Sequence, residues 1–255
     1  MPWTFAHPAA ILPLRPLCPR WLSWPGLILG AMAPDFSYYV GLHGWASAFC
    51  HTPLGVVTAC LPLSLLLLAL LLRFSRPLTV LLPQPHRALV RESLQPPVRA
   101  AWASLAVAVL SILLGAATHL AWDSFTHPGR WGVEWLPLLN RPVFLAVDRQ
   151  FRVFHLLQHL STVVGVVALA AAYRRALRAR HQAAPARCRT RTRVLLACVA
   201  GALVVGALSA HALTPAAAPA YTSHLIVRTV VWSTSCFATL YVIASWAWWR
   251  RRGDA

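Results

Sequence analysis

The sequence predicts an all-α fold, a polytopic membrane bundle of about six transmembrane helices forming one domain over residues 1–255, with both termini cytoplasmic. Three observations predict it. Of 255 residues 58% are hydrophobic and only 11% charged, against roughly 25% charged in soluble domains. The apolar residues come in runs of about 20, the length that crosses a hydrocarbon core. Arginine-rich and charge-poor loops alternate between those runs.

Residues 1–20 are punctuated by Pro2, Pro8, Pro13, Pro16 and Pro19. They lack the basic start and unbroken apolar core of a signal peptide. A weak span at 21–42 is interrupted by Pro25, Pro34 and Asp35, breaks that a membrane tolerates only where neighbouring protein or a water-filled cavity satisfies the freed backbone. Five clear spans follow, at 52–72, 100–122, 153–173, 194–213 and 224–249.

The loops set the orientation. Loop 73–99 carries Arg73, Arg76, Arg87, Arg91 and Arg99, loop 174–193 carries eight Arg and no acid, and the chain closes with Arg250, Arg251 and Arg252. Arg15 and Arg20 join this side. Loops 43–51 and 214–223 have no formal charge, and 123–152 mixes four Arg with Asp123, Glu134 and Asp148. The positive-inside rule puts the Arg-rich side in the cytoplasm of a multi-pass protein of the bacterial inner membrane. The same rule accounts for the net charge of +17, so no nucleic-acid partner is expected and membrane lipid is. All 23 basic residues are Arg, which we read as the composition of a GC-rich bacterium. Six cysteines without a C-x-x-C pair indicate neither a disulfide framework nor a cysteine metal site. In loop 123–152, Trp131, Trp135 and Phe144 suit an interfacial aromatic belt, with a lid as the second reading.

The chemistry-bearing residues gather on the outer side. His119, Asp123 and His127 stand four apart in T-H-L-A-W-D-S-F-T-H. Each step of four turns about 400° and climbs about 6 Å, so the three share a face, but His119 and His127 are about 12 Å apart on an unbroken helix. With first-shell bonds of roughly 2.0–2.2 Å, His119 and Asp123 can share a metal and His127 cannot readily join them. Pro128 and Gly129 mark the helix end, where His127 can bend back. Asp35, in A-P-D-F, reads first as a helix N-cap and second as a ligand. His51 opens its span in F-C-H-T-P-L-G, and His155 and His159 open another as i, i+4 neighbours. Arg228, inside the last span, is expected to snorkel or pair with an acid. This set of His and Asp suits zinc or another divalent metal, and no nucleophile elbow, phosphate loop or H-E-x-x-H helix is present. Metal-assisted hydrolysis is the enzyme class that fits.

On M-P-W-T-F-A-H-P-A-A, G-A-M-A-P-D-F, H-T-P-L-G and T-H-L-A-W-D-S-F-T-H, in that order, the chain resembles an uncharacterised bacterial membrane family, the domain of unknown function numbered 4184. That family is distantly similar to bacterial inner-membrane proteins labelled metal-dependent hydrolases, which show an early His, a P-D, a His-rich segment and an H-x-x-x-D late in a span. Matched by position, the resemblance implies His7, Asp35, His51, His119 and Asp123 as metal ligands. It brings in His7, which depth alone leaves out. Where that group has two His, this chain has W-A-S-A-F-C-H, with His51 at the matching place and His43 upstream.

The expectation is therefore a divalent metal held by those five residues, with His127 as the catalytic group that positions substrate or relays a proton. The expected reaction is hydrolysis of a lipid-like or envelope ester or phosphoester. Two other readings stay open: an ion- or proton-handling transporter, since intramembrane Asp and His mark such relays, and a non-catalytic structural membrane subunit.

Overall fold

The structure, a computed structural model, describes residues 3–95, 101–146, 149–180, 188–215 and 221–252. Of the residues used in reading the loop charges, Arg99, Asp148 and Arg187 lie outside these. The chain is mostly helical and divides into two compact units. Among the described residues five helices are long and apolar enough to cross a membrane: Pro53–Arg73, Ala103–Thr126, Val153–Arg178, Arg189–Leu213 and His224–Arg252. These correspond to the five clear apolar runs.

The first unit comprises residues 1–37, 42–69 and 96–176. Its first element is a 3-10 helix, Thr4–Leu17, containing Pro8, Pro13 and Pro16. Each proline removes a backbone donor and blocks the α-helical bond four residues back. Helix α1 (Trp24–Met32) follows, capped where the Ser23 hydroxyl accepts from the Gly26 amide at 3.2 Å, with Pro25 in its first turn. Pro34 lacks the N–H to continue the ladder. Ala33 nevertheless keeps helical dihedrals (φ −58°, ψ −40°), and the chain tightens into a 3-10 turn, Ala33–Asp35, instead of stopping.

Segment 21–42 is thus not a continuous span, because α1 has nine residues and at 1.5 Å per residue reaches only about 14 Å. Together with Thr4–Leu17 it makes a hairpin laid along α4 (introduced below). Ile11 of the first arm packs with Leu22, Leu27 and Ala31 of the second. Lipid tails are as apolar as leucine, so close approach of small residues does most to hold such a contact.

Helix α2 (Trp45–Cys50) leads through His51 into α3 (Pro53–Arg73). The Thr52 hydroxyl accepts from Gly55 N at 3.0 Å and donates to the Phe49 carbonyl at 2.8 Å. A Cβ on Gly55 would lie 1.9 Å from that carbonyl oxygen, so only glycine allows this tight corner. Just beyond it α3 widens into a π turn, Val56–Cys60, a distortion common near functional sites.

Helix α4 (Ala101–Thr126) is the spine of the unit. A Cβ on Gly30 would fall 2.1 Å from the Ile112 carbonyl oxygen, and one on Gly115 would fall 2.3 Å from that of Leu27. The backbones of α1 and α4 therefore touch. They run in the same direction, from the Ser23 amide donating to Ser111 Oγ at 2.8 Å up to His119 against the Ala31 carbonyl.

After Gly129, at φ 66°, a short helix, Trp131–Trp135, packs back on α4. A two-stranded antiparallel hairpin follows, β1 (Pro142–Ala146) and β2 (Arg149–Arg152), with Phe144 and Phe151 paired and their rings stacked at 4.9 Å. This hairpin is a departure from the all-α expectation. Its cross-strand aromatic pair is the feature that favours pleated backbone there. Helix α5 (Val153–Arg178) receives the start of the chain, with Trp3 N donating to Thr162 Oγ1 at 3.1 Å and Gly165 against Ala6.

The second unit comprises residues 38–41, 70–95 and 177–255. Its main pair, α6 (Arg189–Leu213) and α7 (Tyr221–Arg252), meets closely where Gly206 faces Ser233. Arg228 donates to the Leu213 carbonyl and to Thr214 Oγ1, satisfying the open end of α6, and among the described residues it pairs with no acid.

Candidate metal centre

Four separate pieces of the first unit deliver side chains to one buried point. His7 comes from the 3-10 helix, Asp35 from the turn after α1, His51 from the corner between α2 and α3, and His119 and Asp123 from the last turns of α4. All five are buried, with Asp35 and His119 fully so. Asp123 faces two ways. Its Oδ1 lies 3.6 Å from His7 Nε2, and its Oδ2 lies 3.5 Å from His51 Nε2 and 3.4 Å from His119 Nε2. Asp35 Oδ1 lies 3.3 Å from His51 Nε2 and 3.7 Å from His119 Nε2. The residues form two overlapping groups able to hold a metal, His7 with His119 and Asp123, and Asp35 with His51 and His119.

Two of the histidines are anchored through Nδ1, which turns Nε2 towards the cluster. His51 Nδ1 lies 2.8 Å from the Ser47 carbonyl and His119 Nδ1 2.8 Å from the Ala31 carbonyl. A carbonyl only accepts, so in each ring the proton sits on Nδ1 and donates outward. In the neutral ring Nε2 then points a lone pair at carboxylate oxygens, which also only accept, a clash that a second ring proton or a metal cation relieves. Among the described residues His7 Nε2, His119 Nε2, Asp35 Oδ1 and Asp123 Oδ1 are buried with no hydrogen-bond partner.

A cation resolves this conflict. Two ligands bonded at roughly 2.0–2.2 Å and tetrahedral angles stand about 3.4 Å apart, and the separations here run from 3.3 to 3.7 Å. The donor set, imidazole nitrogen and carboxylate oxygen, is that of zinc and similar divalent ions. On both counts the residues fit a metal.

Electrostatics point the same way. Burial opposes a charge on His51, but the carboxylates of Asp123 and Asp35 outweigh it and raise its pKa to about 9. The cluster therefore attracts positive charge. Burial and the adjacent His119 push His7 down to about 3, leaving it neutral, the form that ligates.

Among the described residues Asp35 does not cap a helix: its carboxylate accepts from the Thr4 hydroxyl, Oγ1 to Oδ2 at 2.7 Å, and from no backbone amide. Thr4 is a functional neighbour that the sequence did not single out. His127 stands outside both groups. Its Nδ1 lies 3.2 Å from the Asp123 carbonyl, 3.1 Å from Thr126 Oγ1 and 3.5 Å from Asp123 Oδ1, and its side chain is 22% exposed. His155, whose Nδ1 accepts from the Arg152 amide at 3.0 Å, His159, beside Phe151, and the exposed His43 also lie outside both groups.

Fold and site together define a helical protein with five candidate membrane spans and a buried His/Asp cluster that could hold a metal. The chain belongs to the family described as Domain of unknown function (DUF4184), whose model matches residues 1–246. No curated protein and no solved structure matches it.

Proposed function

We propose that the cluster binds a divalent metal, zinc by its donor set, and that the protein is a membrane hydrolase of a lipid-like or envelope ester or phosphoester. The observation that carries this reading is the convergence of three Nε2 atoms and two carboxylates at ligand spacing, four of their atoms otherwise unpartnered. A divalent ion there supplies Lewis acidity and lowers the pKa of water towards about 7.

The chain's own residues do the rest. The carbonyls of Ser47 and Ala31 fix the rings of His51 and His119, and Thr4 fixes Asp35. Such supporting hydrogen bonds keep ligands in orientation. His127 is the proton carrier. With its Nδ1–H given to the Asp123 carbonyl, Nε2 is left to take a proton from water or pass it to a leaving group. The likeness to membrane proteins labelled metal-dependent hydrolases, on matching motifs, supports the same chemistry.

The loop charges favour a site on the outer face of the bacterial inner membrane with the Arg250–Arg252 tail in the cytoplasm. On this reading Trp3 and Asp35, the two ends of the N-terminal hairpin, both stand on that outer side, so the N-terminal end lies outside and not in the cytoplasm as the sequence suggested. Membrane lipid is the expected partner.

Full-length protein in detergent, loaded with zinc, is tested on p-nitrophenyl butyrate and bis(p-nitrophenyl) phosphate. Turnover of one that is lost on chelation, restored by zinc and abolished by His127→Ala with the metal retained is the expected result. A metal-loaded protein that turns over neither overturns the hydrolase reading.

A further inference from the structure

The turn that ends α4 carries a second charged group beside the cluster. Gly129, at φ 66° with nothing within 4 Å of where a Cβ would stand, turns the chain after His127, and Arg130 beyond it reaches the corner that holds His51. Arg130 Nη1 lies 3.5 Å from the His51 carbonyl oxygen, across 79 residues of sequence. The residue is half-buried.

That one long contact leaves most of a guanidinium unused, since it has five N–H donors in a fixed fork. Among the described residues Arg130 forms no ion pair. Asp35 and Asp123, the acids of the cluster, are turned towards the histidines. A permanent positive charge, half withdrawn from water and with donors to spare, thus stands next to a metal-ligating residue and three positions from the proton carrier. Such a fork is matched by a phosphate or carboxylate anion, which accepts two parallel hydrogen bonds. A neutral carboxylic ester offers it a single carbonyl oxygen and no charge. A phosphoester offers non-bridging oxygens that carry charge in the ground state and in transfer.

We infer that Arg130 is an anion-binding, specificity-determining residue, and that the substrate class of this site is a phosphoester and not a neutral carboxylic ester. This rests on the metal-centre reading and narrows it.

The test uses full-length, zinc-loaded protein in detergent, with inorganic phosphate as the probe in calorimetric titration and elemental analysis run on each sample beforehand. Wild type is expected to bind phosphate. Arg130→Ala is expected to weaken it at least about tenfold, the loss of a charge-assisted hydrogen bond, with metal content unchanged. Arg130→Lys, which keeps the charge but not the fork, is expected to fall between.

A variant that loses its metal would show Arg130 to be only a prop for the His51 corner, and would overturn the inference. So would phosphate binding that Arg130→Ala leaves within twofold of wild type, or a metal-loaded wild type that binds no phosphate. A wild type that carries no metal is a different failure, read before any phosphate is added, and removes the reading underneath. Displacement of phosphate by a lipid phosphodiester in mixed micelles places the substrate in the bilayer. Displacement only by a water-soluble phosphodiester places it in solution, and both support the anion site. Displacement by p-nitrophenyl butyrate and neither phosphodiester overturns it.

Discussion

His7 stacks flat on His119, their ring centroids 3.8 Å apart and their planes 15° from parallel. A proline-rich segment is thereby joined to a fully buried histidine of the cluster, near the end of a candidate membrane span. Replacing His7 with Ala removes one ligand and the stacking partner but leaves the helix ladders untouched. Metal affinity, measured by competition with a chelating dye, should fall at least about tenfold, with circular dichroism unchanged. Wild-type affinity in that variant would exclude His7 from the site.

Thr4 donates its hydroxyl to Asp35 at 2.7 Å inside the buried centre. Thr4→Val keeps the shape and removes the donor, so Asp35 loses its orientation and not its charge. Supporting hydrogen bonds of this kind are worth roughly 10–100-fold in metal affinity. The same dye competition should show a loss in that range, while Thr4→Ser should retain most of the binding.

The approach of α1 to α4 leaves no room at Gly30, where a Cβ would sit 2.1 Å from the Ile112 carbonyl oxygen. Gly30→Ala must push the two helices apart, and overpacking of this sort costs roughly 1–3 kcal/mol. Because α1 runs directly into the turn that holds Asp35 and α4 carries His119, thermal stability and metal content should fall together. Retention of both would mean that this contact does not set the site.

Ligating imidazoles must be free of protons, so metal binding releases protons and weakens as pH falls. Titrating apo-protein with zinc between about pH 8 and pH 6 should give an affinity that declines with acidification, and a binding enthalpy that varies with the ionisation enthalpy of the buffer. An affinity flat across that range would point to carboxylate oxygens alone.

Much of this molecule is legible in the sequence because the bilayer imposes a length. The five apolar runs became the five long helices, and the i, i+4 spacing of His119 and Asp123 put both on one face near the end of α4. Segment 21–42 has the composition of a span but not its continuity: Pro34 removes a donor, and α1 stops after nine residues. The hairpin of residues 4–35 was hidden because a 3-10 helix built on prolines leaves no 3.6-residue period to read. The same holds for the strand pair around Phe144 and Phe151, inside a loop whose tryptophans suggested a belt. Asp35 beside Pro34 looked like a cap, since local spacing cannot show that Thr4, 31 residues earlier, supplies its partner. The carbonyls of Ala31 and Ser47, which fix the histidine tautomers, have no sequence signature at all, because every residue carries a carbonyl. His7 entered through family resemblance, and its burial against His119 is a tertiary fact.

Elemental analysis of the purified full-length protein tests the central claim most directly. Wild type should carry at least about one tightly held divalent ion per chain, zinc foremost, and Asp123→Asn, whose native carboxylate faces three histidines of the cluster, should carry none while keeping its helical content. A wild type that holds no zinc, manganese or iron as purified, and takes up none on reloading, would contradict the account.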